Sequence, residues 1–190
     1  MLEFVGNCNH ILNWNEIINE VKDQEGKCAC KYLPVSEVPE LKEINDALGN
    51  YCQQSIEWIN YYPGKEFSME VAEKFGEFVG APRMIKSWIS KIYPGKTAPW
   101  HWDWDVDWKK YTEQGNPVRF TAMINEPAPG HVFIVGDEAL YNEKQGDVHK
   151  WPDFRSYHGG TNCGLVPKFN FNYLAYAESV SYTHLRAHET

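Results

Sequence analysis

The stretch Ala98-Pro-Trp-His-Trp-Asp-Trp-Asp-Val-Asp-Trp108 decides how the chain is read. As an extended strand it puts residues two apart on one face. His101 and Asp103 then share a face, with Trp100, Trp102 and Trp104 on the other. An imidazole nitrogen and a carboxylate oxygen side by side form two thirds of a facial metal site. His158, in Ser156-Tyr-His-Gly-Gly-Thr-Asn162, can supply the third ligand.

Outward from this stretch the chain divides in two. From Arg83 on, short β-type runs alternate with Gly, Pro and Asn. They cover Met84–Tyr93, Pro99–Asp105, Val118–Asn125, His131–Val135, Glu138–Tyr141, Gly146–Trp151, Ser156–Thr161 and Lys168–Ala177. Eight short strands at this turn density predict a jelly roll or related barrel. Residues 1–82 read as mostly helical support. Asn13 with Glu16 forms a capping-box start. A second helix is expected from Ser36–Pro39 through Ile59, and a third from Ser68 through Val79 to the Gly80 and Pro82 stop. The fold class expected is mainly β with N-terminal helices, one domain over 1–179 with its jelly-roll core at 83–177.

Composition narrows the function. The 190 residues carry a net charge of −8, with 43% hydrophobic and 15% aromatic residues. The length suits one domain with a real core. No Lys/Arg-rich run offers a phosphate-binding surface, which argues against nucleic acid. No apolar run approaches the roughly 20 residues that cross a bilayer. The first residues lack a signal-peptide pattern, so a reducing cytoplasm is expected. The five cysteines, Cys8, Cys28, Cys30, Cys52 and Cys163, are irregularly spaced and read as free thiols. Val180-Ser-Tyr-Thr-His-Leu-Arg-Ala-His-Glu-Thr190 looks like translated sequencing adapter and is set aside, with His184 and His188.

Other metal readings of the opening stretch fail on spacing. Asp103, Asp105 and Asp107 start like a calcium loop, but Trp108 and Gln114 occupy its glycine and glutamate places. His131 and His149 compete with His158 as third ligand. No suitably placed cation follows His149, whereas Lys168 follows His158 by ten residues, at the start of the last strand.

That pattern resembles the Fe(II)/2-oxoglutarate-dependent dioxygenases. Their double-stranded β-helix carries His-x-Asp on the second core strand, a distal His on the seventh and a basic residue on the eighth. Lys at that place resembles the prolyl 4-hydroxylase branch. Gly146-Asp-Val-His-Lys-Trp151 and Tyr157-His-Gly-Gly-Thr-Asn162 resemble the sixth and seventh strands. The resemblance spans about residues 84–177. It implies that His101, Asp103 and His158 bind Fe(II), and that Lys168 anchors 2-oxoglutarate with Tyr93 and Asn170 as further contacts. It also implies O₂ as co-reactant and a small-molecule or peptide substrate hydroxylated at a C–H bond. Trp151, Arg119 and Arg155 are candidates for the substrate pocket, although a surface ion pair is the ordinary role for either arginine. Two other classes use the same barrel: a cupin-like metal-binding protein without oxygenase activity, and a carbohydrate-binding module that stacks sugars on tryptophan. Only the oxygenase requires Lys168 to be buried and turned towards the metal.

Overall fold

The computed structural model describes residues 1–24, 27–28, 57–60, 66–101 and 108–177. Eight strands form the core: β4 (Arg83–Ile92), β5 (Lys96–His101), β6 (Pro117–Met123), β7 (His131–Val135), β8 (Glu138–Leu140), β9 (Asp147–Lys150), β10 (His158–Asn162) and β11 (Lys168–Tyr176). Each run expected from the sequence after Arg83 contributes one of them. The first pairs with the eighth, the second with the seventh, the third with the sixth and the fourth with the fifth. That is one long antiparallel hairpin rolled up on itself, the jelly roll. Two sheets result, β9-β6-β11-β4 at the centre of one and β5-β10-β7-β8 as the other.

Three short strands extend the larger sheet: β1 (Glu3–Asn7) beside β9, and β3 (Glu57–Asn60) beside β4 with β2 (Lys27–Cys28) outside it. They add strands to a segment expected to be mostly helical, of which residues 25–26, 29–56 and 61–65 lie outside the described residues. Glu57, Trp58 and Ile59, the end of the expected second helix, lie on β3; the rest of that helix falls outside the described residues. Four- and five-residue runs carry too few repeats to separate a helical from a strand period. Pairing with β4 and β9 supplies what local pattern does not.

Two helices behave as their sequences predict. Asn13 caps α1 (Trp14–Val21), its Oδ1 accepting from the Glu16 N–H at 3.3 Å. The third expected helix is α2, Glu66–Phe78, two residues longer at its start than expected. A short helix, α3 (Trp108–Gln114), was not expected, and with it Trp108 leaves the extended stretch. No helix among the described residues is long and apolar enough to cross a membrane.

The main core lies on the outer face of the larger sheet. Trp14, Ile17 and Val21 of α1 and Val71, Ala72 and Phe75 of α2 pack on Ile89, Phe120, Ala122, Phe169, Phe171 and Tyr173. Phe75 meets Phe171 edge-on at 5.0 Å and Tyr173 at 5.2 Å. The opposite face of that sheet looks into the barrel.

Candidate functional site

The inner face of the larger sheet is buried and polar. Along β11, Lys168, Asn170 and Asn172 point inward, as the alternation expected, while Phe169, Phe171 and Tyr173 join the core outside. Antiparallel pairing sets Ser90 against Asn170 and Trp88 against Asn172 on β4. Met123 and Thr121 oppose the same two asparagines from β6. The inner side chains then bond one another. Thr121 Oγ1 accepts from Trp151 Nε1 at 2.8 Å and donates to Asn172 Oδ1 at 3.1 Å, and Asn172 Nδ2 donates to Ser90 Oγ at 3.2 Å. This chain of bonds fixes the Asn172 amide and holds the Trp151 indole upright.

His158 stands on the facing sheet, buried at 6% exposure. Its Nδ1 lies 3.0 Å from the Ser156 carbonyl oxygen. The carbonyl can only accept, so Nδ1 carries a proton. Metal-binding histidines are oriented this way by an outer carbonyl. The Trp151 ring braces the imidazole edge-on at 4.7 Å. Across the ladder, the residue opposite His158 is His101. Residues separated by 57 positions thus become direct strand neighbours, with β-carbons about 5 Å apart in such pairs. The register shifts just beyond them, between His158 and Gly160. Asp103 and the His101 side chain lie outside the described residues. Among those described, no three His, Cys, Asp or Glu side chains gather into a metal site.

Lys168 is 3% exposed. Its Nζ donates to the Val132 carbonyl at 2.5 Å and sits 5.2 Å above the Phe133 ring. The same Phe133 ring reaches within 6.5 Å of His158. No carboxylate among the described residues pairs with this ammonium, and burial pushes its pKa down from 10.5 to about 7. Room for the side chain comes from Gly160 on β10. A β-carbon there would lie 3.3 Å from Nζ and 3.1 Å from the Val132 oxygen. The loop before Lys168 is pinned by Asn162, whose Nδ2 donates to the Ile92 and Val166 carbonyls, both at 2.8 Å.

The remaining expected residues scatter. Asn170 lines the cavity between the sheets with Trp88, Ser90, Arg119, His158 and Gly160. Arg119 is not at the surface: it is 4% exposed, with Cζ 3.7 Å from the Trp151 ring centre and 4.9 Å from that of Trp88. Its strand faces the barrel, which no single-residue argument could foresee. Trp151 is buried behind His158. Arg155 is exposed, 3.8 Å from Asp153, in the surface role weighed for it. Tyr93 stands just past the end of β4, 37% exposed, with the Lys91 ammonium 4.7 Å above its ring. It does not line the cavity. Of the rival ligands, His149 is held by Glu143 at 2.9 Å and His131 lies 3.1 Å from the Val166 carbonyl oxygen. Trp100 is half exposed on the outside of the barrel, stacked on Tyr157 at 6.2 Å. Sequence reasoning missed Ser90, Trp88 and Thr121. The available signal was polar residues at period two in strands otherwise aromatic or aliphatic.

No family model and no curated protein matches the sequence. Several solved structures are similar. The viral collagen prolyl hydroxylase of Paramecium bursaria Chlorella virus-1, in complex with 2-oxoglutarate, is 14% identical with a TM-score of 0.47, covering 77% of this chain and 92% of its own. A predicted oxalate decarboxylase from Thermotoga maritima is 12% identical (TM-score 0.39; 64% and 80% covered). The Cnp3 cupin domain of Schizosaccharomyces pombe is 10% identical (TM-score 0.39; 65% and 66% covered). At these identities the likeness is one of fold and carries no function.

Proposed function

We propose that the protein is an Fe(II)- and 2-oxoglutarate-dependent dioxygenase that hydroxylates a C–H bond. The observation that carries the reading is the pairing of His158 with His101 inside a barrel that also buries Lys168. A histidine oriented through its Nδ1–H faces the interior, and a buried cation stands on the opposite wall. The chemistry of these donors suits Fe(II), with Asp103 as third ligand. Iron bound there would supply O₂ activation coupled to oxidative decarboxylation. The balance is substrate C–H, O₂ and 2-oxoglutarate giving C–OH, succinate and CO₂.

The chain's own residues position the reactants. Lys168 binds the distal carboxylate of 2-oxoglutarate as a point charge, and that anion holds the ammonium protonated. Asn170, one inward position along, offers an amide to the same carboxylate. Ser156 keeps His158 in the ligating tautomer, and the Trp151–Thr121–Asn172 chain stops its ring from turning. The cavity holds about 20 Å³ in this conformation, room for a water molecule. Admitting a five-carbon diacid therefore displaces side chains.

The test is spectroscopic. Anaerobic Fe(II) plus 2-oxoglutarate should give a visible metal-to-ligand charge-transfer band, and air should then yield succinate. Folded protein showing neither would sink the reading in favour of a metal-binding barrel without oxygenase activity. Asp103→Ala should abolish both signals; unchanged turnover would overturn the ligand assignment.

A further inference from the structure

The smaller sheet presents its inward positions to the cavity in rungs. On the first rung His158 lies opposite His101 on one side and Val135 on the other. The next rung is Ala98, Gly160 and Phe133, with Leu140 beyond. Two residues of strand separate the rungs, about 7 Å. The Lys168 ammonium reaches the second rung from the opposite wall, bonded to the Val132 carbonyl and 5.2 Å from the Phe133 ring centre. That ring lies 6.5 Å from the His158 ring, so the expected metal ligand and the cation stand one rung apart. On the third rung Asn162 is fully buried and tied to the Ile92 and Val166 carbonyls.

The middle rung is hollow. Gly160 has no side chain and Ala98 a single methyl, and both line the cavity with His158 and Asn170. Backbone conformation does not call for glycine here, since Gly160 is not among the glycines with positive φ. Glycine inside a strand weakens it, and its usual reason is the close approach of another group. A β-carbon at 160 would lie 3.1 Å from the Val132 oxygen, 3.3 Å from the Lys168 Nζ and 3.5 Å from Ile92 Cδ1. The first two are tighter than the van der Waals optimum of about 3.5–4.0 Å between carbon atoms. A methyl there would crowd the ammonium and fill the space between it and His158.

We propose that Gly160, with Ala98 beside it, sets the chain length of the 2-oxo diacid that the barrel accepts. This rests on the oxygenase reading and assigns its cosubstrate specificity to named residues. Four carbon–carbon bonds of about 1.5 Å in zigzag span roughly 5 Å, enough to run from the His158 rung to the ammonium. Each methylene changes that reach by about 1.3 Å. A four-carbon acid falls short of Lys168, and a six-carbon acid meets the Asn162 rung. The hollow at Gly160 is the room that the five-carbon chain uses.

Anaerobic titrations of the Fe(II)-loaded protein with oxaloacetate, 2-oxoglutarate and 2-oxoadipate test it. A chelating 2-oxo acid gives a charge-transfer band, and its half-saturation reads affinity without turnover. In the parent, 2-oxoglutarate should half-saturate about tenfold or more below either neighbour, the discrimination one methylene gives in a fitted pocket. Gly160→Ala should raise the 2-oxoglutarate value about tenfold and leave that of oxaloacetate within about twofold. A merely structural glycine would weaken all three acids alike. Where Gly160→Ala does not fold, Ala98→Gly, which only removes a methyl from the same rung, should favour 2-oxoadipate over 2-oxoglutarate by about tenfold relative to the parent. Three acids that bind alike in the parent overturn this inference alone. So does a folded variant that leaves their ratios unchanged. No band with any of the three overturns the oxygenase reading and this inference with it.

Discussion

The two faces of β11 are equally buried and chemically opposite. Outward, Phe169, Phe171 and Tyr173 fill the layer under α1 and α2. Inward, Lys168, Asn170 and Asn172 are each 3% exposed or less. Burial alone therefore does not mark a core. The outer face gains from apolar area removed from water. The inner face forgoes that gain and bears the desolvation of an ammonium and two amides. A chain that keeps such residues where isoleucine would fit retains them for something other than stability. The difference also separates two kinds of substitution, those that damage the fold and those that damage what the cavity binds.

The comparison breaks most visibly at Phe171. Truncation to Ala should cost about 3–5 kcal/mol of unfolding free energy, measured by urea denaturation, while 2-oxoglutarate affinity per folded molecule stays unchanged. Lys168→Met should do the reverse. Half-saturation by 2-oxoglutarate should rise about 100-fold, the value of roughly 3 kcal/mol for a charge-assisted bond. The ligand-free variant should be at least as stable as the parent, because an apolar chain replaces a buried charge. A large stability loss in that variant would make Lys168 a structural residue. Thr121→Val tests the layer between, leaving the Trp151 indole N–H and the Asn172 carbonyl without this partner. A loss of about 1–3 kcal/mol is expected; no loss in thermal unfolding would show that the polar chain does not brace the wall.

The smallest effect is in pH. An unfolded lysine keeps its proton to about 10.4, whereas burial brings folded Lys168 to about 7. Between these values the unfolded chain binds more protons, so Lys168 makes the free protein more stable as pH rises above 7; below 7 both states are protonated and the slope vanishes. Measured between pH 7 and 8.5, the parent should gain stability relative to Lys168→Met. Tyr173 and Cys8, both pushed up to about 12, stay protonated when folded across that window. Cosubstrate binding runs the other way, because it needs the charged form, and half-saturation should rise up to about tenfold per pH unit above 7. A flat profile would mean that the ammonium is already paired.

Much of this was legible in the sequence from Arg83 on. Strand alternation put Lys168 and Asn170 on one face and Phe169 and Phe171 on the other, because a period of two is a local property of extended backbone. The capping pair Asn13 and Glu16 was local in the same way. What the sequence could not decide was which strands lie side by side. The meeting of His101 with His158 depends on the second strand pairing with the seventh, and the shielding of Arg119 on β6 lying opposite a second sheet. The strands at Glu3–Asn7, which the sequence left unassigned, and at Glu57–Asn60, part of which it gave to a helix, share that cause: β9 and β4 offer them edges. Residue type and spacing determined which side chains could ligate, anchor or pack. Only the rolled hairpin decided which of them meet, since contacts between distant residues are set by strand pairing and not by local pattern.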